Sequence, residues 1–376
     1  MKINKNVVVA LCSATGVYLL IAFEFFYMAS PFAMYFYSVY KPGLHLLNEF
    51  PSISWVTGFF LPHLVEDTKS VLLDHVPVIG VIMFTLGLST FVICAGQIYY
   101  AKLFKKKIVT KGFYRFVRHP QYAAFAICSF GLLLLWPRYL NLFFYIVLLF
   151  VYYWLALIEE NECEQKYGKV YLKYKENTAM FFPLPKQVKI PIAIPTRFVA
   201  LVRLGFYILI TTLLLLIAYG LKNLSVQQLY SYSSPEGSWI SIFKMEEAGF
   251  KSISHLMQNN SAIDSLITRK AGSKDELINY VLPAEMYISE IPMIEPKNSK
   301  CHVERENYNQ NKVKVVITKS IHKEKEQTFY GNKLIRKTLT LKPVAEVWID
   351  RSTQTITRII DLPEPERYKN IPEPVF

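Results

Sequence analysis

Charge is what this chain has least of. Asp, Glu, Lys and Arg make up 19% of its 376 residues, hydrophobic residues reach 52%, and mean hydropathy is +0.23. A soluble domain carries about 25% charged residues, so the balance argues for a membrane protein. The five cysteines (Cys12, Cys94, Cys128, Cys163 and Cys301) include no Cys-x-x-Cys pair. An odd, scattered set supports neither a disulfide framework nor a structural zinc site. Residues 222–376 lack a nucleotide-binding loop, metal-ligand spacing and a catalytic triad, and His255, His302 and His322 are dispersed along them. Acidic residues are scarcest in the apolar part. Residues 1–221 hold twenty Lys/Arg against ten Asp/Glu, and residues 222–376 hold twenty-two against nineteen. A net charge of +13 distributed in this way is a topological signal rather than a nucleic-acid-binding one.

What is present is a series of long apolar runs. A helical span needs about 20 mostly apolar residues. Residues 7–29, 77–101, 121–136, 139–158 and 200–221 meet or approach that length, giving an expected bundle of about five transmembrane helices. The run 121–136 is short, so its helix is expected to start a turn earlier or to sit in a thinned region. A cleaved signal peptide is the rival for residues 1–30. Its apolar run is too long and Met28-Ala29-Ser30 is a poor cleavage site, so a retained helix is expected. Trp136-Pro137-Arg138-Tyr139 separates the third and fourth runs and makes them a tight hairpin. Segment 102–120 carries seven Lys/Arg and 159–203 carries eight, whereas loop 30–76 carries only Lys41 and Lys69. The basic segments are therefore assigned to the cytoplasm, with the N-terminus inside and residues 222–376 outside. In loop 30–76, Pro31 to Tyr40 and Trp55 to Leu64 read as interfacial segments, and Glu24 reads as a carboxylate near the headgroups.

The expected domains are 1–76, the first span with its loop; 77–221, the membrane core; and 222–376, an extracytoplasmic α+β domain. Within the last, 243–258 and 261–281 have helical patterns, with Ser273-Lys274-Asp275-Glu276 as a helix start. Val313–Thr318, Thr328–Tyr330, Lys333–Leu341, Ala345–Ile349 and Thr355–Ile360 alternate as strands. Gly331-Asn332 and Asp350 to Thr353 are expected turns, and Pro363 to Phe376 is expected to be extended.

Two polar clusters sit at opposite ends of the hairpin, which returns them to one side of the membrane. In Arg118-His119-Pro120-Gln121-Tyr122, proline disfavours helical geometry at His119 and permits a helix to begin after it. Arg118, His119 and the first free amides then converge where an anion is welcome. Tyr122 follows within a turn, and the cluster fits an anion clamp and a basic stop-transfer flank with an interfacial tyrosine equally well. Glu159-Glu160 closes the fourth run, where a helix dipole disfavours negative charge. That placement points to a cationic or hydroxyl-bearing partner. Adjacent residues on a helix diverge, so one acid is expected to serve a ligand and the other the fold. Glu162 and Glu164 are expected on a solvated helix with Lys166, Lys169 and Lys173. Few charges lie within the runs and no repeat or broken-helix pair is visible, which argues against a channel or transporter.

Gly112-Phe113-Tyr114, Val117-Arg118-His119-Pro120-Gln121-Tyr122, Gly131, Glu159-Glu160, Tyr167-Gly168, Tyr171, Tyr174 and Pro183 together resemble the isoprenylcysteine carboxyl methyltransferase and phospholipid methyltransferase superfamily. The resemblance covers roughly residues 80–185. It implies an integral membrane enzyme that uses S-adenosylmethionine, with membrane lipids and a lipophilic substrate as partners. It implies that Arg118, His119 and Tyr122 hold the methionine end of that cofactor, and that Glu159 and Glu160 face its ribose, amino or adenine groups. Ala124 stands where the family often has glycine. Leu155 stands where the isoprenylcysteine branch has an arginine for the substrate carboxylate. A lipid amine, a thiol or a prenylcysteine-like carboxylate all remain open as acceptor. The alternative is a non-enzymatic anchor that keeps a degenerate cofactor site and binds a partner through its outer domain.

Overall fold

The computed structural model describes residues 52–105, 108–182, 199–234, 237–274, 276–288, 290–294, 311–322, 328–364 and 374–376, with Phe32, Leu44, Leu46, Leu47, Phe50 and Asn309. The expected span 7–29, Glu24 and most of Pro31 to Tyr40 lie outside the described residues. The chain divides into two compact units. One holds residues 78–135 and 141–211, and the other holds 40–77, 136–140 and 212–376, the first also including residues 1–39.

The helical part is built from α1 (Val76–Tyr100), α2 (Pro120–Leu135), α3 (Tyr139–Tyr167) and α5 (Val199–Gln228), with a short α4 (Lys169–Asn177) after α3. Among the described residues, three helical stretches are long and apolar enough to cross a membrane: Val71–Phe104, Tyr139–Tyr167 and Leu201–Gln228. The shorter apolar helix Pro120–Leu135 has 16 residues. It does not start a turn early. Pro120 sets its first position, and the preceding segment is a 3-10 turn, Gly112–Arg115, followed by a turn at Phe116, a bridge at Val117 and a bend at Arg118.

Helices α1 and α2 touch backbone to backbone. A Cβ on Gly131 would lie 2.4 Å from the Phe84 nitrogen and 2.6 Å from the Gly80 oxygen, and one on Gly87 would lie 2.5 Å from the Cys128 nitrogen. Small residues permit such close approach where lipid provides no hydrophobic drive. Ala124 shares this contact, since its oxygen lies 2.8 Å from the same built Gly87 Cβ.

The second unit is organised around one six-stranded sheet in chain order: β1 (Tyr230–Ser234), β2 (Gly237–Ser241), β3 (Leu277–Pro283), β4 (Lys312–Ile321), β5 (Thr340–Asp350) and β6 (Thr355–Asp361). Among the described strands only β2 and β3 pair in parallel, and they are joined through α6 (Glu247–Gln258) and α7 (Ser261–Ala271). The Asn260 side chain caps α7 by accepting from the Ala262 and Ile263 amides. One face of the sheet packs Trp239, Val281 and Val315 against Phe250, Ile253, Ile263 and Ile267 of these helices. The other packs Ile240, Tyr280 and Val316 against Leu334 and Ile335 of α8 (Gly331–Lys337), with Leu64, Val226 and Phe376.

Several expectations change here. The helix read over 261–281 ends at Ala271, and Leu277–Pro283 is a strand. All seven residues of that strand are buried, and a strand covered on both faces loses the alternation that marks it. Ser273-Lys274 and Glu276 form a bend and turn before it rather than a helix start. Residues 333–337, read as strand, belong to α8, while β1 and β2 were not anticipated. Leu64 belongs to the sheet unit's hydrophobic core, so the end of the Trp55 to Leu64 segment is packed against protein.

Candidate functional site

The site begins with a backbone clamp. Before Pro120 the chain runs beside residues 178–181: Val117 bridges Ala179, and the Arg118 and His119 amides donate to the Ala179 and Met180 carbonyls at 2.8 and 3.1 Å. The His119 carbonyl then accepts from the Ala123 amide at 3.2 Å, the first helical bond of α2. The ring of His119 is thus fixed where α2 starts.

Helix α3 runs on to Tyr167, so Glu159 and Glu160 lie two turns inside it rather than at its end. The dipole argument does not apply there; nearby cations balance the charge instead. Successive helical residues diverge by about 100°, and the two acids have different surroundings. Glu160 is buried. Its Oε1 accepts from Arg118 Nε at 2.7 Å and lies 3.3 Å from His119 Nε2, while Oε2 lies 3.0 Å from Lys175 Nζ. Glu159 is half-exposed, accepts from the Tyr122 hydroxyl at 2.5 Å, and lies 3.3 Å from His119 Nδ1.

The His119 imidazole therefore bridges both carboxylates, while neither ring nitrogen has an aligned hydrogen-bond acceptor among the described residues. Burial disfavours its charged form, but the flanking acids outweigh that cost and raise its pKa above the usual 6.5. Its ring stacks 5.7 Å from that of Tyr122, and Tyr122 stacks 4.8 Å from Tyr152.

Arg118 is the residue whose surroundings differ most from an open anion clamp. Besides Glu160, its Nη1 donates to the Lys175 carbonyl at 3.1 Å and to the Thr178 carbonyl. It ties the end of α4 to the start of α2.

A cavity of about 560 Å³ opens beside these groups, within the range of small-molecule sites. Arg118, His119 and Glu159 line it, whereas Tyr122 and Glu160 stand behind the wall and hold those that do. Lys102 reaches it from the π-helical turn Ala101–Lys105 that ends α1. Glu162, Cys163 and Lys166 of α3 also line it, so Glu162 is not simply on a solvated face. Glu164 pairs with Lys175. Tyr171 and Tyr174 close the wall from α4, which sets off at Gly168, a residue with φ of +53°. The Tyr174 hydroxyl donates to the Tyr114 carbonyl at 2.5 Å, and burial pushes its pKa up to about 12. The Tyr114 hydroxyl contacts the Cys94 carbonyl and Gln121 Oε1, each at 3.2 Å.

The lysines and Glu162 were missed because charge at the end of an apolar run reads as topology. Tyr171 and Tyr174, spaced one turn apart, were the signal available in sequence. The described residues contain no cluster of metal-ligating side chains.

Residues 76–170 match the family model described as phospholipid methyltransferase. The resemblance drawn from the sequence is borne out over that segment, which contains α1 to α3 and both polar clusters. No curated protein and no solved structure matches the chain.

Proposed function

From the family match over residues 76–170, we propose that the protein is a membrane-embedded methyltransferase that uses S-adenosylmethionine and methylates a lipophilic acceptor. The observation that carries this reading is the His119 imidazole held 3.3 Å from two carboxylates at the wall of a 560 Å³ cavity.

When bound, S-adenosylmethionine supplies an electrophilic methyl on a sulfonium, alongside an ammonium, a carboxylate and ribose hydroxyls. The wall fits such a molecule. Lys102 and Lys166 offer positive charge, His119 offers ring nitrogens, Glu159 and Glu162 offer negative charge, and tyrosine faces suit a cation. The buried His119 nitrogens, lacking aligned partners among the described residues, are the groups a ligand would satisfy.

In this reading the His119 imidazole, whose pKa the two flanking acids raise against the effect of burial, faces the carboxylate. Glu159, oriented by the Tyr122 hydroxyl, accepts from a hydroxyl or ammonium. Glu160 holds His119 and Arg118 in place, and Arg118 secures α4 against the site. Orientation of the acceptor and exclusion of water by the apolar walls supply most of the acceleration. The acceptor is a lipid amine, a thiol or a prenylcysteine-like carboxylate. The buried Leu155 leaves no cation one turn before the acids, which disfavours the last. The Lys/Arg distribution supports a cofactor entering from the cytoplasm and an extracytoplasmic sheet domain.

Incubation of the purified protein with methyl-tritiated S-adenosylmethionine and a total membrane lipid extract tests the proposal. Label is expected in an organic-soluble product and is expected to fall sharply with Glu159→Gln. No transfer to any extract fraction would favour the anchor reading.

A further inference from the structure

Lys175 lies outside both polar clusters, yet it completes the charge balance of the site. Its Nζ is 3.0 Å from Glu160 Oε2 and also pairs with Glu164, and its carbonyl accepts from Arg118 at 3.1 Å. Glu160 is 2% exposed and carries one negative charge among Arg118, Lys175 and His119. With Lys175 on Oε2, Oε1 is left to Arg118 and His119. Without it, Oε2 loses that cation, and the carboxylate is held through Oε1 alone by Arg118 and His119. His119, whose Nδ1 also lies 3.3 Å from Glu159, would then face a Glu160 whose charge is less compensated.

We infer that Lys175 is a positioning residue for this site, acting through Glu160 to fix the orientation and charge of His119. Its binding readout rests on the methyltransferase reading; its effect on His119 does not. Lys175 is 35% exposed, so solvent screens its contribution to stability and the larger consequence is expected at His119. Hydrogen bonds to Glu164 and Glu160 overcome the effect of burial and keep the Lys175 pKa above its ordinary value, so the lysine is charged at neutral pH.

The test uses the full chain in detergent with Lys175→Met, Lys175→Gln and Lys175→Arg. Protein labelled with ¹⁵N-histidine is titrated by NMR, with the His119 signal assigned by its loss in His119→Gln. Removal of a cation that competes for Glu160 is expected to raise the His119 midpoint in Lys175→Met and Lys175→Gln, and Lys175→Arg should restore it. In parallel, the lost orientation of Glu160 and His119 should outweigh the readier protonation of the imidazole and raise the Kd for S-adenosylmethionine about tenfold in the neutral variants, the scale of one charge-assisted contact. An unchanged midpoint in whichever neutral variant folds overturns the inference. A shifted midpoint in a protein that binds no S-adenosylmethionine would leave Lys175 assigned to His119 and remove the methyltransferase reading instead.

Discussion

Arg118 and Glu160, 42 positions apart in sequence, meet with Nε 2.7 Å from Oε1 and with side chains only 8% and 2% exposed. Removing one partner of such a pair strands a buried charge, at a cost of about 3–5 kcal/mol. Glu160→Ala is therefore expected to lower the unfolding temperature in detergent by much more than Glu159→Ala, whose side chain is 37% exposed. Equal losses would mean that Glu160 is not the structural member of the acidic pair.

The pH dependence follows from His119. Its folded-state pKa lies above the ordinary 6.5. A group raised in this way contributes stability that is complete below its unfolded pKa and is lost as pH rises through the folded one. The stability difference between wild type and His119→Gln should thus be largest near pH 6 and shrink as pH climbs past 6.5 into the alkaline range. Thermal unfolding at half-unit pH steps checks this. A difference that grows with pH would contradict it.

Tyr122 donates to Glu159 from behind the cavity wall. Loss of that hydroxyl leaves the carboxylate less constrained, worth about 1 kcal/mol or roughly fivefold in binding. Tyr122→Phe should weaken S-adenosylmethionine binding by that order with little change in unfolding temperature. Unaltered affinity would assign Tyr122 to packing alone.

The α1–α2 crossing supplies a prediction independent of function. A Cβ at Gly131 would sit 2.4 Å from backbone, whereas one at Gly96 of α1 meets nothing within 4 Å. Gly131→Ala should destabilise by about 1–3 kcal/mol as the helices are forced apart. Gly96→Ala should be neutral or stabilising, because alanine is the better helix former. Chemical denaturation in mixed micelles compares the two, and similar values would argue against close helix contact.

Much of this was legible in the sequence because apolar runs and charge breaks are strong signals. The expected span 77–101 and α1 (Val76–Tyr100) nearly coincide, and the Trp136-Pro137-Arg138 break separates α2 from α3. The two polar clusters were legible because a hairpin must return its ends to one side, and His119 does lie beside Glu159 and Glu160. The sequence was silent on long-range pairing. Nothing local marks Lys175 as the partner of Glu160, or the Thr178 and Lys175 carbonyls as acceptors for Arg118. In the sheet unit, β3 was misread because burial on both faces removes periodicity.

The most direct measurement is equilibrium binding of radiolabelled S-adenosylmethionine to the purified protein in detergent, for wild type, His119→Ala and Glu159→Ala. Saturable binding by wild type, abolished by either exchange, is the expected result. Saturation unaffected by both exchanges, or no binding by any of the three proteins, would contradict a cofactor site built around that bridged imidazole.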